Sequence, residues 1–104
     1  MADFTNVSIV KKGNVYFEGK VTSRTILFPN GEKKTLGFMQ IGEYEFNTSE
    51  AEIMEIQSGK LLALIADSEE WISFSAGQEF SIPANSKFKM KVSEVTDYLC
   101  SFIK

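Results

Sequence analysis

Short segments rich in β-branched and aromatic residues, separated by turn signals, run through most of the 104-residue chain. Asn30-Gly31, Ser58-Gly59 and Gly77 mark three of these turns, since glycine and asparagine adopt the backbone angles that tight turns need. The signals recur about every 8–12 residues, which is the spacing of an antiparallel sandwich or barrel. The sequence therefore predicts one all-β domain over residues 1–104, with residues 1–6 loosely held.

The hydrophobic patterning predicts where the strands begin and end. The predicted strands are residues 15–28, 35–41, 42–46, two strands within 51–65 that separate at Ser58-Gly59, 71–77, 88–92 and 97–103. Asn30-Gly31 is a favoured hairpin turn. If it forms a two-residue turn, Arg24 lies opposite Gly37 in the hairpin.

A helix competes with a strand over residues 48–56. Thr48 or Ser49 is a suitable N-cap, and acidic residues follow in the first turn. Ser58-Gly59 leaves room for only about two turns. The surrounding β pattern therefore favours a strand followed by a turn.

Composition excludes several classes of function. The net charge is −3, whereas a nucleic-acid-binding surface needs a basic footprint. No apolar run is long enough to span a bilayer, and the start, MADFTNVSIVKKG, does not resemble a signal peptide. We therefore expect no nucleic-acid or membrane partner. The single cysteine fits a reducing compartment. The chain contains no histidine, the commonest metal ligand and general base.

Two segments together resemble the double signature of the cupin fold. In the first, Glu52 is followed by six residues and then Gly59. In the second, GQEFSIPANSKF (77–88), Gly77 is followed by five residues and then Pro83. Glycine and proline are common in β proteins, so the order and spacing of both halves carry the resemblance.

The histidine ligands of that signature are replaced in this chain. Phe88 stands where the second motif has its histidine. The two histidines before the glutamate would fall at Phe46 and Thr48, or at Glu45 and Asn47 with the longer spacing. The resemblance thus implies a single-domain cupin β-barrel of the RmlC-like jelly-roll type without its usual metal ligands.

A closer resemblance is to the pyrimidine/purine nucleoside phosphorylase family of small single-domain cupins. It is carried by YFEGKVTS (16–23), GEYEFNT (42–48), EIMEIQSGKL (52–61), Trp71, GQEFSIPANSKF (77–88) and YLC (98–100). The resemblance implies phosphorolysis of purine and pyrimidine nucleosides to the free base and α-D-ribose 1-phosphate, in a cytoplasmic homodimer. It also implies that no metal or other cofactor takes part and that inorganic phosphate is the co-substrate.

Phosphorolysis needs hydrogen-bond donors or cations that hold phosphate beneath the anomeric carbon. We predict that Lys20, Ser23, Arg24 and Thr35 bind phosphate, and Lys20 and Ser23 also match the family pattern. The alternative is that the basic residues lie on an ordinary solvated outer face.

Two carboxylates, Glu43 and Glu52, are the predicted catalytic groups. Burial would raise a carboxyl pKa enough for it to act as an acid near neutral pH. The alternation in GEYEF favours Tyr44 and Phe46 inward and turns Glu43 and Glu45 to water. Glu43 lies at the end of that strand, where it can still reach a cavity opening.

Aromatic rings can stack a base of any kind, which suits a broad substrate range. We predict that Phe46, Phe88 and Tyr98 bind the base, with plain barrel core as the alternative for each ring. Cys100 has no histidine partner and is expected to be a buried small apolar residue.

A second class of function stays open at this point. On the residues alone, the absence of histidine favours a non-catalytic cupin module that binds a small molecule or a partner protein. The family resemblance reverses that preference. A metal-dependent oxygenase or isomerase would need a site made of carboxylates and amides, which suits magnesium, calcium or manganese rather than iron.

Overall fold

The computed structural model describes residues 3–103, which form nine antiparallel strands and one short 3₁₀ turn. The strands are β1 Ser8–Ile9, β2 Asn14–Tyr16, β3 Val21–Leu27, β4 Lys33–Met39, β5 Gly42–Asn47, β6 Ala51–Ile65, β7 Ile72–Ser75, β8 Glu79–Ile82 and β9 Lys87–Ile103; the 3₁₀ turn is Phe17–Gly19. The expectation that residues 1–6 are loose falls partly on residues 1 and 2, outside the described residues. Phe4 packs edge-on against Phe28, with ring centroids 5.0 Å apart.

The two longest strands, β6 and β9, pair along almost their whole length, and the other strands are arranged around this pair. Their register runs from Ala51 opposite Ile103 to Ile65 opposite Phe88, with irregularities between Ile56 and Leu61. Extra residues of this kind bend a strand and increase its twist. The β6–β9 ribbon therefore bends in its middle.

Gly59 permits the bend. Its φ is +96°, a conformation that other residues rarely adopt, and a Cβ there would lie 2.4 Å from the Val95 carbonyl oxygen. The backbones of β6 and β9 thus approach each other where only glycine fits.

Each half of the bent ribbon carries its own strands. The half formed by the start of β6 and the end of β9 is extended by β8 on one side and by β4, β3, β1 and β2 on the other. The other half pairs with β7 and β5. The inward side chains form the core, whose buried members are Val21, Met39, Tyr44, Met54, Ile56, Leu61, Ala63, Phe80, Ile82, Phe88, Met90, Val92, Tyr98 and Cys100.

The predicted fold class is confirmed, since the described chain is all β, with a cupin-like jelly-roll arrangement. The choice of strand over helix at residues 48–56 is also confirmed, because Ala51 begins β6. Tyr44 points inward and is buried, and Phe46 packs against the core. Glu43 and Glu45 are exposed, as the alternation predicts.

Several predicted strand boundaries are wrong. Residues 51–65 form one strand, because the bend at Ser58-Gly59 does not interrupt pairing with β9. Residues 88–92 and 97–103 likewise belong to the single strand β9. The predicted strand 15–28 is divided by the 3₁₀ turn, in which Phe17 and Glu18 have positive φ.

The hairpin turn after β3 is longer than predicted. Leu27 pairs with Lys33, so five residues rather than two form the loop. The Asn30 carboxamide stabilises this loop by accepting a hydrogen bond from the Glu32 backbone N–H at 2.9 Å. The register therefore shifts by one residue, and Ser23 rather than Arg24 lies opposite Gly37.

Substitution of Gly59 by alanine tests the bend. We expect Gly59→Ala to lower the free energy of unfolding by about 2–5 kcal/mol, because backbone strain and a steric clash add. Gly77→Ala is the matched control: Gly77 also has positive φ, +87°, but nothing lies within 4 Å of its added Cβ. It should lose only about 1–2 kcal/mol in the same urea titration. Equal losses for the two variants would contradict the close approach at Gly59.

Candidate functional site

A cavity of about 340 Å³ lies inside the barrel, within the usual size range of small-molecule sites. It is lined by Tyr16, Ser23, Lys33, Thr35, Met39, Phe46, Asn47, Ser49, Glu50, Glu52, Met54, Phe88, Met90, Tyr98, Cys100 and Phe102. The two halves of the ribbon supply different chemistry to this cavity.

One side, the polar wall, consists of Ser23, Lys33, Thr35, Glu52, Tyr98 and Cys100. These residues come from β3, β4, the start of β6 and the end of β9. The strand register places Thr35 beside Cys100, and Gly37 between Ser23 and Tyr98. Hydroxyl, carboxyl and thiol groups therefore face one region of the cavity.

The other side, the aromatic wall, consists of Tyr16, Phe46 and Phe88. Phe46 and Phe88 pair directly across β5 and β9. Their rings are stacked, with centroids 5.9 Å apart and an interplanar angle of 24°. Tyr16 packs edge-on against Phe46 at 5.6 Å, so Phe46 is held from two directions.

Glu52 and Cys100 form a pair within the polar wall. The Cys100 thiol donates a hydrogen bond to Glu52 Oε1 at 3.3 Å. Burial raises the pKa of the Glu52 carboxyl; the hydrogen bond from Cys100 opposes this rise, and the nearby Glu50 carboxylate adds to it. Burial also raises the pKa of the Cys100 thiol well above its usual range, so the thiol remains a donor. Cys100 is buried as predicted, but it also contacts the candidate acid.

Two further charged residues lie near Glu52. The Lys33 ammonium sits 4.7 Å from the centroid of the Phe102 ring, and its charge partly opposes the rise in the Glu52 pKa. Glu50 Oε2 is buried and has no hydrogen-bond partner among the described residues. A buried acceptor without a partner is unfavourable.

Tyr98 presents a neutral hydroxyl to the cavity. Burial raises the pKa of this hydroxyl well above its usual range, and the neighbouring Ser23 side chain opposes the rise only in part. Tyr98 is therefore protonated near neutral pH, so it can donate a hydrogen bond.

Six of the residues predicted for the site line one cavity: Ser23, Thr35, Phe46, Glu52, Phe88 and Tyr98. The structure brings them together, although their individual roles stay predictions.

Lys20, Arg24 and Glu43 are exposed and do not line this cavity. Lys20 ends the 3₁₀ turn before β3 begins. The Arg24 side chain points outward, and its guanidinium lies against Gly13. The cavity geometry therefore gives no support to phosphate binding by Lys20 and Arg24 or to a catalytic role of Glu43.

The sequence reasoning missed Lys33, Tyr16 and Glu50 as lining residues. Lys33 was detectable, since period-two alternation from Thr35 places it on the same strand face. Tyr16 was not, because it faces the cavity through its pairing with the buried Val21 across β2 and β3, and the sequence does not show that the chain turns back at residues 17–19.

The residues at the cupin ligand positions do not fit a metal ion. Phe46 and Phe88 supply apolar rings, and the Thr48 hydroxyl donates to the Pro83 carbonyl oxygen at 2.7 Å. With the longer spacing the positions hold Glu45, which is exposed and 3.8 Å from Lys89 Nζ, and Asn47. Of the oxygen-bearing residues at these positions, only Glu52 and Asn47 line the cavity. Among residues 3–103, no three acidic or cysteine side chains are close enough to hold a metal ion.

Comparisons with known proteins decide the family. The family model for pyrimidine/purine nucleoside phosphorylase matches residues 11–102. The chain belongs to this family. A curated member from Syntrophotalea carbinolica, named pyrimidine/purine nucleoside phosphorylase, is 53% identical over 104 residues and covers 100% of both chains.

Solved structures show the same fold. A crystal structure of a protein of unknown function from Acinetobacter sp. ADP1 superposes with a TM-score of 0.94 at 45% identity, covering 97% of this chain and 98% of that one. An RmlC-like cupin from Shewanella frigidimarina has a TM-score of 0.70 at 14% identity, covering 96% and 86%. The cupin fold expected from the double signature is thus confirmed.

Within residues 3–103, no helix has the length and apolar character that crossing a bilayer requires.

The stability of a Glu52→Gln variant tests the pKa shift. Because the folded pKa lies above the ordinary 4.5, the native state keeps a proton that the unfolded chain releases. Glu52 therefore lowers the free energy of unfolding as pH rises through this interval. As pH rises from about 4 to about 8, we therefore expect the free energy of unfolding of Glu52→Gln to increase relative to that of the unsubstituted protein.

Urea unfolding at both pH values measures this gain. Glu55→Gln, on the outward face of the same strand, controls for the substitution itself. If the two variants show the same pH dependence, Glu52 does not carry a raised pKa.

Proposed function

We propose that this chain is a nucleoside phosphorylase that cleaves purine and pyrimidine nucleosides within the described cavity. The reaction yields the free base and α-D-ribose 1-phosphate. The observation that carries the proposal is the division of one cavity into a polar wall and an aromatic wall. A nucleoside has the same division, since its base is a flat ring system and its ribose carries hydroxyl groups.

The aromatic wall binds the base. Phe46 is fixed by its stacking on Phe88 and by its edge contact with Tyr16. A face of this cluster offers stacking, which is available to every base and does not distinguish purines from pyrimidines. This supports a broad substrate range.

The polar wall binds ribose and phosphate. Thr35 and Lys33, two residues apart on β4 and facing the same way, offer a hydroxyl donor and a cation to phosphate. Glu50, whose side chain lines the cavity, offers a carboxylate acceptor to a ribose hydroxyl. These contacts hold a phosphate oxygen near the anomeric carbon, which removes much of the entropic barrier.

Glu52 supplies the proton that the leaving base needs. A phosphate oxygen forms a bond to C1′ while the C1′–N bond breaks and its electron pair passes to the base. The base nitrogen takes a proton from the Glu52 carboxyl or, for uracil-type bases, is stabilised by a hydrogen bond alone. The raised Glu52 pKa favours the protonated form, and a bound phosphate dianion raises it further.

No metal ion enters this scheme, and we propose that the reaction runs without one, with inorganic phosphate as co-substrate. The partners are nucleosides and phosphate. We place the enzyme in the cytoplasm, in agreement with its single cysteine.

We also propose a homodimer. Leu36 and Phe38 on the outward face of β4 are 37% and 50% exposed. Across the sheet, Leu36 pairs with Arg24 of β3 on one side and with Leu99 of β9 on the other. Leu99 in turn pairs with Glu55 of β6, so a cation and a carboxylate flank the apolar pair. A two-fold partner would place opposite charges together around an apolar centre. Sedimentation velocity should give about twice the monomer mass, and a monomer at all concentrations would contradict this.

A product assay tests the function. Purified protein is incubated with uridine, inosine or cytidine, with and without phosphate, and the bases are separated by chromatography. We expect free base only when phosphate is present, and the same rate after treatment with EDTA. Base released without phosphate would indicate a hydrolase, and no base in either mixture would indicate a binding module.

Kinetics of Lys33→Ala test the phosphate site. The apparent KM for phosphate should rise about 10- to 100-fold, because a charged donor is lost, while the nucleoside KM changes less. Lys34→Ala is the matched control, since this neighbouring lysine points away from the cavity, toward Phe28. Lys20→Ala and Arg24→Ala in the same series test the sequence-based assignments directly. An unchanged phosphate KM in Lys33→Ala would remove Lys33 from the site.

A further inference from the structure

Glu52 and Cys100 lie on neighbouring strands whose pairing fixes where their side chains meet. Cys100 of β9 pairs with Thr35 of β4 on one side and with Met54 of β6 on the other. Glu52 lies two residues before Met54 on the same face of β6, so it is the diagonal neighbour of Cys100 across the ladder. Because Cys100 is buried in a strand paired on both sides, the packing around it holds its thiol in place.

The two oxygens of the Glu52 carboxyl have different surroundings. Oε1 accepts the hydrogen bond from the Cys100 thiol, with the sulfur 3.3 Å away. Among residues 3–103, no side chain or backbone group donates to Glu52 Oε2, and the one fully buried side-chain oxygen or nitrogen without a partner belongs to Glu50. Glu52 Oε2 is therefore accessible, and since Glu52 lines the cavity, this oxygen reaches its open space.

A thiol donor influences which oxygen of a protonated carboxyl carries the proton. In the acid form one oxygen is a carbonyl oxygen, which is the better acceptor, and the other is a hydroxyl, which donates. Burial raises the pKa of the Cys100 thiol well above its usual range, so the thiol is a donor near neutral pH. Its bond to Oε1 favours the form in which Oε1 is the carbonyl oxygen and Oε2 carries the proton.

We infer that Cys100 is a positioning residue whose thiol holds Glu52 Oε1, so that the acid proton sits on Oε2, the oxygen open to the cavity. The inference rests on the proposed function, in which Glu52 gives this proton to the leaving base. A proton already on the oxygen that faces the base needs no rotation of the carboxyl before its transfer. After the transfer the thiol stabilises the carboxylate that remains, which regains its proton from solvent before the next turnover.

The S–H stretching band in the infrared spectrum tests the contact without using activity. The chain contains one cysteine, so this band reports on Cys100 alone. As pH rises from about 4 to about 8, Glu52 loses its proton and the thiol donates to a charged acceptor, which forms the stronger hydrogen bond. We expect the band to shift to lower frequency over this interval in the unsubstituted protein and to stay constant in Glu52→Gln.

The same comparison controls for the other ionisable groups around Glu52. Glu50 and Lys33 both act on the Glu52 carboxyl, and Tyr98 of the same wall is neutral at these pH values. A shift of the band that persists in Glu52→Gln would come from one of these neighbours rather than from Glu52. That result, or a band that does not move with pH in the unsubstituted protein, would overturn the inference.

The pH dependence of kcat with inosine tests the consequence for proton donation. Activity should fall as pH rises through the Glu52 pKa, because only the protonated carboxyl can act as the acid. Cys100→Ala removes a donor that stabilises the carboxylate, which raises the Glu52 pKa, so the fall should move to higher pH by about 0.5–1 pH unit. Cys100→Ser is the matched control, since serine is close to alanine in size and keeps a donor. Its fall should lie at lower pH than that of Cys100→Ala, and coinciding profiles of the two variants would contradict the role of Cys100.

The failure of the proposed function would look different. If the native protein releases no base with phosphate, the phosphorylase assignment fails, and the infrared measurement still decides whether the Cys100 thiol holds the Glu52 carboxyl. If the native protein is active but the two pH profiles coincide, only the positioning role of Cys100 fails.

Discussion

The bend in the β6–β9 ribbon is the constraint on which the rest of the structure depends. Both strands continue through it, because Gly59 adopts a positive φ and leaves room for the backbone of β9. Without the bend, the ribbon would be a flat pair of strands with no enclosed space. With it, each half of the ribbon carries its own set of strands, and the side chains between the halves form the core and the cavity.

The bend also separates two kinds of chemistry within one cavity. The half that pairs with β4 brings hydroxyl, carboxyl and thiol groups, whereas the half that pairs with β5 brings stacked rings. Phe88 illustrates the consequence. It stands at a position that resembles a cupin ligand position, yet its ring stacks on Phe46 at 5.9 Å. The fold is that of a cupin, and at this position its interior holds stacked aromatic rings.

Much of this arrangement could be predicted from the sequence, because alternation and turn residues are local signals. The inward direction of Tyr44 and Phe46 followed from period-two alternation, and the positions of Glu52 and Phe88 followed from motif spacing. The register of β3 against β4 did not, since it depends on the length of the hairpin loop. The longer loop shifts the register by one residue, so Ser23 rather than Arg24 pairs with Gly37. The continuity of β6 through Gly59 also required the partner strand, which no local pattern reveals.

The cavity itself is a property of tertiary structure. Lys33 lines the site because β4 begins two residues before Thr35, and Tyr16 does so because it pairs with Val21 across β2 and β3. The Cys100–Glu52 contact joins residues 48 positions apart. A sequence pattern can nominate such residues as buried or polar, but only their pairing across β6 and β9 makes them neighbours.

The central claim is that phosphate, rather than water or a metal-bound nucleophile, attacks the nucleoside in this cavity. Incubation of the EDTA-treated protein with uridine and phosphate fully labelled with ¹⁸O measures this directly by mass spectrometry of the sugar product. The account predicts ribose 1-phosphate that retains every labelled oxygen, because the attacking oxygen comes from phosphate and the C1′–N bond is the one that breaks. Unlabelled free ribose, or loss of all turnover after EDTA treatment, would contradict it.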